Sequence, residues 1–172
     1  MEQRMMRVNR IGRVRPHLHG GVELRLPSQL GYEKVAMDTV ATVAGRMGFA
    51  EERVAALRSA IAEAVTNAIE HGNRGAKDAL VRVQIMPDSD RLTVIVRDQG
   101  GNRLSPGRVL KEPSLLRAMD GSDEGWGMWL IRQLVDEATW SVSPRGGNEV
   151  RLVLYTRSGT ERPGGGVHGV SG

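Results

Sequence analysis

Apolar and polar side chains alternate from Val22 to Leu26, the period of a half-buried strand, and Pro27 ends the run. Beyond it the period changes. From Leu30 to about Met47 the apolar positions Val35, Ala36, Val40, Val43 and Ala44 recur at helical spacing, with Ser28 placed to cap the helix and Gly48 to stop it. A second helix is predicted from about Glu51 to Glu70. Glu51 and Glu52 suit its positive N-terminal end, Val54, Leu57, Ile61, Val65 and Ala68 form its apolar stripe, and Gly72 in His71-Gly72-Asn73 is read as its C-cap. Alternation returns over Leu80–Met86 and Leu92–Val96, and the turn residues Pro87-Asp88-Ser89-Asp90 between them make a hairpin. Residues 98–124 have no clear period apart from a short helix read at Pro113-Ser114-Leu115-Leu116. A stretch of that length inside a compact domain is a functional lid or a mobile loop. Met128–Val135 then reads as a third helix, and Ala138–Val142 and Val150–Tyr155 as strands about a Pro144-Arg145-Gly146-Gly147 turn.

The order strand, helix, helix, strand, strand, loop, helix, strand, strand implies an α+β fold. Its expected form is a two-layer sandwich, with a mostly antiparallel sheet carrying its helices on one face. A chain of 172 residues is one domain by length, and aromatics at 3% leave the core to Val, Leu, Ile, Ala and Met. No internal repeat interrupts this reading.

Charge sharpens the domain organisation. Residues 1–20 hold Arg4, Arg7, Arg10, Arg13 and Arg15 against Glu2, which accounts for the whole net charge of +4. We therefore expect a mobile Arg-rich arm over 1–20, a folded domain over 21–156 and a Gly-rich disordered tail over 157–172. No aromatic platform accompanies the arm, so direct nucleic-acid binding is not expected. The absence of Cys excludes disulfides, thiolate zinc sites and cysteine nucleophiles. No apolar run reaches the length of a membrane span and no signal-peptide core opens the chain, so a cytoplasmic protein with no membrane partner is expected.

Three segments hold candidate chemistry. At about 100° per residue, Asn67 and Glu70 lie about 40° and 20° from Glu63 around the second helix, opposite its apolar stripe. That polar face is either a site or a solvated surface. The strand ending at Val96 runs into Arg97-Asp98-Gln99-Gly100-Gly101, where a carboxylate can accept from an exocyclic amine and Gly100 lets a flat ring approach the backbone. Taken alone, this is also the composition of an ordinary turn. Gly125-Trp126-Gly127-Met128 opens the third helix, whose free N–H groups suit phosphate oxygens. The dipole of one helix end supplies only about 0.3–1 kcal/mol, whereas micromolar affinity needs about 8 kcal/mol. A working site would have to draw on all three segments and on a metal.

Together these segments resemble the GHKL (Bergerat-fold) ATPase superfamily of gyrase, Hsp90, histidine kinases and MutL, and within it the anti-sigma factor serine/threonine-protein kinases. Glu63-Ala-Val-Thr-Asn67-Ala-Ile-Glu-His71-Gly72 is similar to the family's N box, and Gly125-Trp-Gly127-Met-Trp-Leu-Ile131-Arg132-Gln-Leu-Val-Asp136-Glu to its second glycine box. The resemblance spans about residues 22–156. It implies ATP and Mg²⁺ as cofactors, with Asn67 holding the metal, Glu63 as general base, Asp98 on the adenine amine and Gly100 beside the ring. It further implies Gly125, Trp126, Gly127 and Met128 around the phosphates and residues 102–124 as an ATP lid. The first glycine box departs from the family's Asp-x-Gly-x-Gly, since Asn102 replaces the last glycine. Asp120, Asp123 and Glu124 would put negative charge near the phosphates, where they either assist a metal or face water.

The implied activity is phosphorylation of a serine or threonine on a STAS-domain anti-anti-sigma protein, with a sigma factor as second partner, transcription regulation as the outcome, and a homodimer as the assembly. The alternative is a catalytically silent nucleotide-binding adaptor that regulates a sigma factor or another partner by binding alone. The catalytic half of a sensor histidine kinase fits less well, because no dimerising hairpin with a phosphoacceptor histidine precedes the domain. A P-loop enzyme is excluded by the lack of Gly-x4-Gly-Lys-Ser/Thr.

Overall fold

The computed structural model describes residues 20–76, 78–101, 126–144 and 146–156. The Arg-rich arm up to residue 19, the lid at 102–124 with its short helix, Asn102, Gly125 and the tail at 157–172 lie outside the described residues.

The elements follow the predicted order: β1 (Val22–Pro27), α1 (Glu33–Met47), α2 (Glu51–Asn67), β2 (Leu80–Pro87), β3 (Arg91–Arg97), α3 (Trp126–Leu134), β4 (Glu137–Val142) and β5 (Asn148–Tyr155). The five strands form one sheet in the order β1-β2-β3-β5-β4, and every neighbouring pair is antiparallel. Strand β3 sits at the centre and is buried on both faces from Leu92 to Val96. The helices pack on one face, where Val40, Leu57, Ile61 and Val65 meet Val83, Ile85, Val94 and Leu152 in a continuous aliphatic core. Burying each such side chain stabilises the fold by about 1.5–3 kcal/mol. The architecture is thus the α+β two-layer sandwich expected from the periodicity.

Three local expectations are corrected. Helix α1 begins at Glu33, not near Leu30, and its N-cap Tyr32 makes no side-chain cap hydrogen bond. Ser28, expected to cap it, is instead buried and accepts a hydrogen bond from Asn73 Nδ2 at 3.1 Å. Second, α2 is regular only to Asn67. Residues Ala68–Gly72 widen into a π-helical turn closed by Asn73 N donating to Ala68 O at 2.8 Å, a distortion that recurs at functional sites. Third, Gly72 is not the left-handed cap, for the chain reverses through Arg74 (φ 50°) and Gly75 (φ 69°). Gly48 does behave as predicted: at φ 82° it lets its own N–H and that of Phe49 return to the Gly45 and Ala44 carbonyls.

Helix α3 starts two residues earlier than predicted and buries Ile131 completely. An ion pair anchors its far end, because the Arg53 guanidinium at the start of α2 grips both Asp136 oxygens and the Tyr155 carbonyl. Asp136 Oδ2 also accepts from Tyr155 N at 2.7 Å. The pair is about one-third exposed, which places its worth toward the low end for charged hydrogen bonds. Asp136→Ala removes one partner and strands the other, so we expect a loss of about 1–2 kcal/mol in urea denaturation with an unchanged m-value.

Candidate nucleotide site

The chemistry-bearing residues fall into two clusters, one on the last regular turns of α2 and one at the end of the π turn that follows it. The first lies on the last regular turns of α2. Leu57, Ala60, Ile61, Ala64 and Val65 are buried in the core, so Glu63 and Asn67, four residues apart, share the side turned away from it. Both are half-buried, and Asn67 Nδ2 donates to Glu63 Oε1 at 3.1 Å. A carboxylate only accepts, so this bond presents the Asn67 amide nitrogen to Glu63 and turns Oδ1 away from it. Glu70 does not join them: it is exposed within the widened turn, as is His71. The uniform 100° spacing that grouped it with Glu63 fails where the helix underwinds.

The N-terminal turn of α3 lies directly over this pair. A Cβ built on Gly127 would fall onto Glu63 Oε1 and within 2.9 Å of Asn67 Nδ2, so any side chain there would have to displace the Glu63 carboxylate. Trp126 and Met128 flank it, both half-buried, and the Trp126 ring meets Trp129 edge-on with centroids 5.5 Å apart. The buried Trp126 Nε1 has no hydrogen-bond partner among the described residues. The arrangement brings a carboxylate, a carboxamide and the first described turn of a helix to one place, groups suited to an anion and a cation together. Among the described residues no three acidic or histidine side chains gather to hold a metal. An ion seated here would take most of its ligands from phosphate oxygens and water, as Mg²⁺ commonly does.

The second cluster surrounds Asp98, which is buried at 7% exposure one residue past β3. Its Oδ1 accepts from Gly100 N at 3.0 Å and Asn148 N at 2.9 Å, and its Oδ2 accepts from Asn148 Nδ2 at 3.0 Å. The backbone around it is packed through glycines. The Asp98 carboxylate fills the space of a Cβ on Gly72, the Gly72 carbonyl fills that of Gly100, and the Asp98 carbonyl fills that of Gly147. Gly100 was expected to clear room for a flat ring. The structure gives it a further reason to be glycine, contact with the end of α2.

A buried amide holds this loop from the other side. Asn73 Oδ1 accepts from Gln99 N at 2.8 Å, its Nδ2 donates to Ser28 Oγ and to the Leu80 carbonyl, and Leu80 N donates to Gln99 Oε1 at 2.7 Å. Neither Asn73 nor Asn148 stood out in the sequence. Asn148 becomes visible only through register, since Arg97↔Glu149 places Asp98 opposite it. Asn73 looked like the residue after a helix cap.

The histidine kinase-like ATPase domain family matches residues 26–154. The serine-protein kinase RsbW of Bacillus pumilus (strain SAFR-032) is 31% identical over 126 residues, covering 67% of this chain and 75% of the relative. RsbW of Bacillus subtilis (strain 168) is 30% identical over 140 residues, covering 78% and 84%. The fold is shared with the crystal structure of the RsbU and RsbW domains of Rv1364c from Mycobacterium tuberculosis, with a TM-score of 0.56 at 18% identity. That alignment covers 78% of this chain and 32% of the two-domain protein. The chain therefore belongs to the histidine kinase-like, or GHKL, ATPase family, in its branch of anti-sigma serine-protein kinases.

Proposed function

We propose that this protein is an ATP- and Mg²⁺-dependent serine/threonine kinase and anti-sigma regulatory factor that phosphorylates a STAS-domain anti-anti-sigma partner. One observation carries the reading: the hydrogen-bonded Glu63–Asn67 pair lies under the glycine N-terminus of α3, while Asp98 packs against Gly72 at the end of the π turn that follows. From Glu63 to Asn67 the regular helix axis advances about 6 Å, and the π turn carries the chain further before Gly72 meets Asp98. That separation suits an extended nucleotide with its phosphates at α3 and its base at Asp98.

In this reading Asp98 accepts from the adenine amine. The N–H groups at the start of α3, with Gly127 at their centre and Gly125 before it, receive phosphate oxygens, and Trp126 and Met128 line that end. Asn67 would hold Mg²⁺, which when bound neutralises phosphate charge. Its amide suits the task, because the Glu63 contact leaves Oδ1 turned outward. Glu63 takes the proton from the attacking hydroxyl as that oxygen bonds to the γ-phosphorus, the β–γ bridging bond breaks, and ADP departs. Phosphoryl transfer asks the protein chiefly for positioning and charge compensation, which these groups provide. A sigma factor as second partner, a homodimer, and the roles of the 1–20 arm and the 157–172 tail as flanking segments complete the proposal.

A second reading, an adaptor that binds nucleotide without transferring phosphate, draws on one feature. Glu63 Oε1 is already engaged by Asn67 and covered by Gly127. The names of the RsbW relatives favour the kinase.

Three outcomes test the site. Calorimetric titration with Mg-ATP is expected to give binding near micromolar, weakened about a hundredfold in Asp98→Ala, because a buried charged hydrogen bond is worth about 1.5–3 kcal/mol. Absence of binding by the folded wild type would remove the kinase reading. Glu63→Gln preserves shape and the Asn67 contact but not the base. Transfer of labelled phosphate to a STAS partner is expected to fall at least about a hundredfold while ATP binding persists; equal rates in the two proteins would leave Glu63 without its role. Gly127→Ala pushes a methyl group onto Glu63. We expect it to weaken Mg-ATP binding at least about tenfold with a thermal midpoint within a few degrees of wild type.

A further inference from the structure

We infer that the face of the sheet turned away from the helices docks a partner protein through the acidic side of one of that partner's helices, held by Arg25, Arg82, Arg97 and Arg151. The inference is independent of the nucleotide-site reading, whose residues lie on α2, α3 and the loop after β3.

Alternation along the strands decides which side chains form this face. Leu26, Val83, Val96 and Val150 belong to the core under the helices, so Arg25, Arg82, Arg97 and Glu149, one position along each strand, point the other way. The register sets these four side by side as Arg25↔Arg82, Arg82↔Arg97 and Arg97↔Glu149. Three arginines in a row across adjacent strands disfavour the sheet, because like charges directly opposite one another repel. The outer two are relieved within the face. Arg97 Nε donates to Glu149 Oε2 at 2.6 Å, and Arg25 Nε donates to Glu23 Oε1 at 2.9 Å. Arg82, between them, has no ion pair among the described residues. Neither has Arg151, which stands exposed on the same face opposite Ile95.

Negative charge brought by another molecule relieves the row, and an acidic helix has the right spacing. Neighbouring strands lie about 4.8 Å apart, and carboxylates three or four residues apart on a helix lie about 5–6 Å apart. A stripe of Glu or Asp laid across the strands therefore meets Arg25, Arg82 and Arg97 in turn, and each guanidinium fork matches a carboxylate. A continuous polyphosphate fits less well. Glu23 and Glu149 flank the row and repel it, and the centre of the face, Thr93, Ile95 and Val153, offers no aromatic ring on which bases could stack. A second copy of this chain laid face to face would bring its own arginine row against this one. Thr93, Ile95 and Val153 are already buried, at 5%, 9% and 3% exposure, so docking draws on charge and not on further apolar burial.

The test is fluorescence anisotropy of a labelled alanine-based helical peptide bearing glutamates at i, i+4, i+7 and i+11, titrated with the full chain at low salt. Wild type is compared with Arg82→Gln/Arg151→Gln, with Arg82→Glu, and with a variant whose five arm arginines, Arg4, Arg7, Arg10, Arg13 and Arg15, are all Gln. We expect wild type to bind with an affinity that falls as salt is added, the double variant to bind about fivefold more weakly, and Arg82→Glu to lose more. Mg-ATP titration and the thermal midpoint are expected to match wild type in both, which separates this face from the nucleotide site. Either single Gln substitution reads the same direction should the double variant fail to fold. Equal affinity in wild type and the face variants overturns the inference, as does a loss confined to the arm variant, which assigns binding to residues 1–20. Tighter binding of a single-stranded RNA than of the peptide, lost in the same face variants, overturns it in favour of nucleic acid. A change in sedimentation of the face variants alone, without peptide, overturns it in favour of a second copy. Failure of wild type to bind the peptide also overturns it and leaves the nucleotide site untouched.

Discussion

The tightest constraint in the molecule is the contact between the π turn that ends α2 and the loop that leaves β3. There the Gly72 carbonyl sits where Gly100 would carry a Cβ, and the Asp98 carboxylate sits where Gly72 would carry one. Glycine at 100 lets the Gly72 backbone approach, and glycine at 72 leaves room for the Asp98 side chain. The approach fixes the level of Asp98 relative to the end of α2, and thereby its distance from Glu63 and Asn67 nine and five residues earlier on the same helix. Widening the turn to Ala68–Gly72 is what brings the Gly72 carbonyl round to that contact instead of leaving it in a regular helical ladder. The cost of the distortion is offset by Asn73 N, which closes the wide turn on the Ala68 carbonyl, and by the Asn73 side chain, which ties Ser28, Leu80 and Gln99 together.

Buried polar groups must be satisfied or the fold loses about 1–3 kcal/mol for each. Around Asp98 that demand is met by two asparagines approaching from opposite sides, one reaching its loop through Gln99 and one holding its carboxylate directly. Asparagine suits both positions because its amide offers donors and an acceptor in one plane. A carboxylate at either position would turn a donor into an acceptor, and an apolar residue would supply neither. The polar network therefore specifies one arrangement of a loop that hydrophobic burial alone would hold less definitely.

Much of the fold was legible in the sequence, and the reason is periodicity. Val81, Val83 and Ile85 alternate with Arg82 and Gln84, Leu57, Ile61 and Val65 recur at helical spacing, and each pattern names its element without tertiary information. Glu63, Asn67 and Gly127 were legible as a site through resemblance, and the structure brings them into one cluster. What escaped depends on contacts between distant segments. Ser28 has the chemistry of a cap, but its partner is Asn73, 45 residues away. Gly72 has the look of a cap, but its lack of a side chain serves Asp98. Glu70 was grouped with Glu63 by a uniform helical rotation that the π turn interrupts, and no local residue type announces such a turn. Asn148 follows two glycines in a hairpin and gains meaning only from the register that sets it against Asp98. For Ser28, Gly72 and Asn148 a partner distant in sequence decided the outcome, and for Glu70 the π turn did.

The two ends of the site are held in different ways, and the difference follows from the same accounting of contacts. Asp98 is fixed by central strands, by Asn148 and by backbone packed against backbone, so displacing it would break a buried network at the middle of the sheet. The helix that covers Glu63 is nine residues long, and Ile131 is its fully buried residue. Its far end is tied through Asp136 to Arg53, whereas its first turn rests on the Glu63–Asn67 pair through Gly127, a residue with no side chain to interlock. Local opening costs least where few apolar groups are buried and few hydrogen bonds break. By that measure the α3 end yields before the Asp98 end. Were a nucleotide bound as proposed, one end of it would meet a surface held by buried asparagine and the other a helix terminus resting on a glycine.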